Sequence, residues 1–102
     1  MDVCLLIPQW SIRPTARTEF EALIQRWRET VLAMPGCLAF KLFRGFDDPL
    51  DYLFLETWVD EASFRAYVTS PEAADFLREA SYYASSPGSA QLAKLVHERS
   101  VL

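Results

Sequence analysis

The chain has 102 residues, 51% of them hydrophobic and 24% charged, with a formal net charge of −4. That balance implies one globular domain over residues 1–102 and excludes intrinsic disorder. Acidic residues outnumber basic ones by 14 to 10 and no basic stripe is present, which excludes a nucleic-acid-binding surface.

Val3 to Ile12 reads as a first strand with apolar groups on both faces. Pro8 lacks an N–H, so it predicts an edge position, a bulge or an early break. After the turn at Arg13–Thr15 the period becomes helical. Phe20, Leu23, Ile24, Trp27, Val31 and Met34 form one apolar stripe, with Thr18 and Glu21 as a capping box or Thr15 as the N-cap. Pro35 and Gly36 end the helix.

Cys37 to Arg44 is a second strand, with Leu38, Phe40 and Leu42 on one face and Cys37, Ala39, Lys41 and Phe43 on the other. Gly45–Leu50 is a connecting loop. In the third strand, Asp51 to Val59, Tyr52, Phe54, Glu56 and Trp58 share a face. Asp60 caps a short helix bearing Phe64, Tyr67 and Val68, and Ser70-Pro71 restarts a helix bearing Phe76, Leu77, Ala80 and Tyr83. Ser86–Ser89 breaks the pattern, and Leu92 to Val101 reads as the last strand.

The order β-α-β-β-α-β fits an α+β, ferredoxin-like fold, a four-stranded antiparallel sheet with helices on one face. The other face is then largely apolar and needs a partner. A homodimer through the sheet face is the expectation. The 14% of aromatic residues exceed what a small core needs, which points to a pocket or a subunit contact. No apolar run approaches the ~18 residues of a membrane span. The start Met1–Ile7 carries Asp2 and lacks a basic leader segment, so a cytoplasmic protein without a membrane partner is expected.

One His, two Cys and scattered carboxylates give no metal-ligand spacing, and the isolated Gly36, Gly45 and Gly88 give no phosphate loop. No metal or cofactor is therefore expected. Cys4 and Cys37 fall on strands that are not neighbours, so they are expected unbridged. His97, in the last strand, is the one side chain that titrates near neutrality unaided. It reads as a surface or interface residue, or as a general base if it faces a pocket.

Met34-Pro35-Gly36-Cys37-Leu38, Phe46-Asp47-Asp48-Pro49, the run Leu55 to Phe64, and Ser70-Pro71 with Phe76-Leu77 together resemble the antibiotic biosynthesis monooxygenase family. The resemblance covers nearly the whole chain. It implies a dimeric α+β barrel, one pocket per chain between sheet and helices, and cofactor-independent oxygenation of an aromatic, quinol or enolisable metabolite. Trp58, in the Glu-x-Trp pattern, takes the place of the tryptophan that lines the family pocket. Phe54 stands where the anthrone-type oxygenases have an asparagine, and Phe64 falls near their tyrosine. Arg78 falls near their helix arginine. The haem-degrading relatives use a helix histidine and an asparagine. This chain has no Asn, and its single His is outside the helices.

Glu56, Tyr67 and Arg78 are the candidates for orienting a ligand or moving a proton beside Trp58. Phe20, Ile24, Trp27, Phe54 and Phe64 are expected to wall the pocket. Glu56 otherwise serves as a buried hydrogen bond or salt bridge with Lys41 or Arg44. A non-enzymatic dimer that binds a small aromatic or apolar ligand, or acts as an accessory module, is the alternative to an enzyme.

Overall fold

The computed structural model describes residues 2–98. Four strands, β1 (Cys4–Ser11), β2 (Cys37–Arg44), β3 (Asp51–Trp58) and β4 (Ser89–Lys94), form one antiparallel sheet in the order β2-β3-β1-β4. Helices α1 (Arg17–Leu32), α2 (Glu61–Val68) and α3 (Pro71–Tyr83) cover one face. The layering follows from alternation. Cys4, Leu6, Trp10 and Ile12 of the first strand segment, and Tyr52, Phe54, Glu56 and Trp58 of β3, are buried under the helices. The α1 stripe Phe20, Leu23, Ile24, Trp27 and Val31 closes that core.

Pro8 is not at an edge, because β1 pairs on both sides. The register with β3 is constant along β1, yet the ladder omits Ile7 and Pro8, the step at which a backbone donor is missing. The fold keeps the proline by losing pairing locally.

Neither expected cap opens α1. A short 3-10 turn, Pro14–Ala16, leads into the helix, and Ala16 occupies the cap position without a side-chain hydrogen bond. Glu21 is instead engaged elsewhere. It accepts from the Tyr52 hydroxyl at 2.5 Å and pairs with Arg44 at 3.0 Å and Arg17 at 3.3 Å, tying α1 to the ends of β2 and β3. The Tyr52 hydrogen bond, with the two arginines, holds the Glu21 carboxyl below its usual range.

The other two helices start as their sequences predict. Asp60 accepts the Ser63 N–H at 2.8 Å, and Ser70 accepts the Ala73 N–H at 3.1 Å with Pro71 in the first turn. Gly36 adopts φ +86°, and a Cβ there would strike the Ser63 side chain, so its turn requires glycine on both counts.

An irregularity between Cys37 and Ala39 shifts the β2 register. Cys37 therefore packs against the helix-side core, and Phe40 faces Glu56 from the same side. This corrects the simple alternation, which placed Cys37 opposite Phe40; a bulge adds one residue and reverses the faces before it. The last strand is also displaced. It begins at Ser89, ends at Lys94, and leaves His97 exposed beyond it; Val101, the expected end of that strand, lies outside the described residues.

Cys4 and Cys37 are both free. Each is registered against Trp58, from opposite sides of β3. Two inter-strand spacings of ~4.8 Å separate them, too far for a disulfide.

The sheet is open, with β2 and β4 as edges, so one copy of the chain does not make a barrel. Its second face carries Leu5, Ile7, Leu53 and Leu55, half-buried, and Phe43, exposed. Among the described residues no helix is long and apolar enough to cross a membrane.

Candidate active site

Glu56 sits at the centre of β3, flanked across the ladders by Leu6 of β1 and Phe40 of β2. It is 1% exposed, and its Oε1 has no hydrogen-bond partner in the protein. It makes no ion pair with Lys41 or Arg44; Arg44 is committed to Glu21, and Lys41 is exposed on β2, registered against Leu55 of the other face. Burial pushes its carboxyl up to about 7, while the neighbouring Tyr67 hydroxyl opposes part of that rise. A carboxyl poised there changes protonation at neutral pH, which suits a general acid or base.

Tyr67 reaches Glu56 from α2. Burial and the Glu56 charge drive its phenol far above the ordinary range, so it keeps its proton and acts as a donor. Its ring stacks on Trp58, with centroids 4.6 Å apart, and lies 6.0 Å from Trp27.

A cavity of about 500 Å³ opens between the helix-side face of β1 and β3, helices α2 and α3, and the segment entering β4. Glu56 and Tyr67 line it, together with Leu6, Trp10, Phe76 and Leu77. Trp10 meets Phe76 edge-on at 6.3 Å, and Phe76 stacks on Trp27 at 4.6 Å. The rings thus build an aromatic wall from β1 to α1. Gly88 closes one end; a Cβ there would come within 2.8 Å of the Trp10 ring.

A second cavity, about 430 Å³, lies on the far side of Tyr67, with Trp58, Met34, Ser63, Ser70 and Glu72 among its lining residues. Trp58 therefore does not line the larger cavity. It supports Tyr67 from behind.

The expected site residues are thus divided. Glu56 and Tyr67 come together in the cavity. Phe20, Ile24, Phe54 and Phe64 are core residues outside its lining, and Trp27 meets it through Phe76 and Tyr67. Arg78 is a correction. Its side chain is 75% exposed and pairs with Asp75 at 2.9 Å. One residue along α3 from the cavity-lining Leu77, it is turned about 100° round the helix.

Trp10, Phe76 and Gly88 are the walls that sequence reasoning did not single out as a site. The signal was present in the burial period of β1, which carries Trp10 onto the same face as Leu6. Among the described residues, the buried side-chain atoms without a partner are Glu56 Oε1 and the indole nitrogens of Trp10, Trp27 and Trp58. Glu56 and Trp10 are the two of these residues that line the larger cavity.

Residues 5–79 match the family model described as Antibiotic biosynthesis monooxygenase. The chain is 21% identical over 90 residues to the uncharacterized protein sll1783 of Synechocystis sp., a match covering 88% of this chain and 61% of that protein. It therefore spans less than two thirds of the length of that curated relative. The fold is that of Rv0793 from Mycobacterium tuberculosis, with TM-score 0.86 and 18% identity over 96% of this chain and 99% of that one. It is also that of a mutant of SnoaB, a cofactor-independent oxygenase from Streptomyces nogalater, with TM-score 0.80 and 17% identity over 99% and 98% of the two chains.

Proposed function

Since this chain belongs to the antibiotic biosynthesis monooxygenase family, we propose that it is a cofactor-independent monooxygenase of an aromatic, quinol or enolisable metabolite held in the helix-side cavity. The observation that carries this reading is Glu56, a buried carboxyl with one oxygen unpaired, which lines a mostly apolar, ring-walled cavity.

The chemistry asks little of the protein. Glu56, as carboxylate, takes a proton from an activated CH2 of the substrate. The carbanion passes one electron to O2, and the radical and superoxide combine to a peroxide anion. Glu56 returns its proton to give the hydroperoxide. Loss of the second C–H proton and of hydroxide then yields C=O and H2O, so that CH2 + O2 becomes C=O + H2O. The apolar lining keeps water from the carbanion and strengthens each charge interaction. Tyr67, protonated throughout, donates to developing negative oxygen.

The working unit in this reading is a homodimer. Leu5, Ile7, Leu53 and Leu55 of one protomer bury against the same face of its partner, closing two sheets into a barrel.

Phe54 favours a second reading. It is fully buried against Phe20, Phe40 and Phe76 and offers no hydrogen bond where anthrone-type oxygenases have an asparagine. A dimeric, ligand-binding module without turnover would need only the cavity.

Oxygen uptake separates the two. Anthrones and hydroquinones are presented to the protein in chelator-treated buffer. The enzyme reading expects saturable uptake above the protein-free rate, abolished to within about tenfold of background in Glu56→Gln. Saturable binding without uptake would establish the second reading.

A further inference from the structure

The larger cavity contains one acid, and no Arg, Lys or His occurs among the described residues that line it. The cations nearest to it in sequence are held elsewhere. Arg65 pairs with Glu61 at 2.8 Å and Arg78 with Asp75 at 2.9 Å, both on the surface. At the β4 side Lys94 is shared between Glu61 and Asp2. The exposed part of the lining carries Val68, Leu77, Pro87 and Ala90 with the hydroxyls of Ser81 and Ser89, and no charge. Deeper in, Glu56 Oε1 lacks a donor.

From this arrangement we infer that the cavity selects its ligand by charge. It takes a neutral planar molecule that presents a hydroxyl or enol O–H to Glu56 Oε1, and it rejects one of equal size that presents a carboxylate there. The inference deepens the proposed reading, since it places the substrate in the same cavity and assigns Glu56 a specificity role.

The physical reasons are two. A hydroxyl satisfies a buried acceptor that is otherwise unpaired, and hydrogen bonds to charged groups are among the stronger ones. A ligand carboxylate beside Glu56 brings two like charges into a water-poor space with no cation to share. One of them must then take up a proton for both to stay. A ring substituent left at the mouth meets water and escapes this selection.

Three probes that share one ring system test it: 2-naphthol, 2-naphthoate and naphthalene. Binding is measured anaerobically by calorimetry at about pH 8, where naphthol keeps its proton and naphthoate has lost its own. The expected order is naphthol first, about tenfold or more tighter than naphthalene, with naphthoate weakest. In Glu56→Gln the amide can donate as well as accept, so naphthoate should gain affinity and the preference for naphthol over it should shrink at least about tenfold.

Naphthoate binding the wild type as tightly as naphthol would overturn the inference, as would failure of all three probes to bind. An unchanged preference in Glu56→Gln would overturn it as well. The wild-type comparison stands even if that variant fails to fold. Oxygen uptake is read separately. Preference for naphthol with no uptake by any reductant would refute the monooxygenase reading alone, and uptake without preference would refute this inference alone.

Discussion

Tyr67 stacks on Trp58 with ring centroids 4.6 Å apart and planes 22° from parallel, and it stands as the wall between two cavities that both count it among their lining residues. The tryptophan of the Glu-x-Trp pattern thus acts on the larger cavity through a second ring. Trp58→Ala removes a fully buried side chain and should cost about 3–5 kcal/mol. It should also weaken aromatic ligands about tenfold by unseating Tyr67. Tyr67→Phe keeps the stack and loses only the hydroxyl, so it should fold normally and bind several-fold more weakly. Urea titration and calorimetry separate the two effects. Equal loss of stability in both variants would contradict the supporting role of Trp58.

Glu56 makes stability fall as pH rises. Its carboxyl has an ordinary value of 4.5 and is pushed to about 7 in the folded chain. Between these values the native state holds a proton that the unfolded chain has lost, so the slope of stability against pH is negative there. The full difference corresponds to about 3 kcal/mol. The groups facing it do not titrate in this window, since Tyr67 is raised and burial pushes the Cys37 thiol up. Glu56→Gln should therefore be about 1–3 kcal/mol more stable than wild type near pH 8 and nearly equal near pH 5. Urea midpoints at the two pH values check this, and a variant less stable at pH 8 would contradict the burial argument.

Gly88 has no room for a methyl group. Its Cβ would lie 2.8 Å from the Trp10 ring, so in Gly88→Ala the ring or the segment that carries residue 88 must shift. The expected cost is about 1–3 kcal/mol, as for other overpacked sites. Ligand affinity should fall with it. Ligand binding that survives Gly88→Ala at full strength would place the ligand away from Trp10.

The open sheet face predicts oligomeric state. Leu55 lies on that face, registered against Lys41 of β2. Leu55→Lys puts a second cation at the centre of the proposed interface and should convert a dimer to monomer at micromolar concentration. Sedimentation equilibrium reads it directly. A wild type that is monomeric throughout would remove the barrel from the account.

Much of the fold could be read from alternation and punctuation. The α1 stripe, the Ser70-Pro71 restart and the shared face of Glu56 and Trp58 all follow from spacing. The errors share a local cause. The irregularity at Cys37–Ala39 carries no Gly or Pro to announce it. Strand β4 carries six exposed residues, Ser89 to Lys94, so its sequence shows no buried period to fix its ends. Arg78 is a candidate through the family resemblance alone, and on a helix one residue is enough to turn a side chain away from the cavity. Trp10 and Gly88 meet across more than seventy residues, and nothing local to either one signals the contact.

The most direct test of the central claim is a crystal structure of the protein with bound 2-naphthol. The account predicts the ring between Trp10, Phe76 and Leu77, with its hydroxyl within about 3 Å of Glu56 Oε1. A ring seated on the open sheet face between two protomers, with Glu56 Oε1 still unpaired, would contradict it.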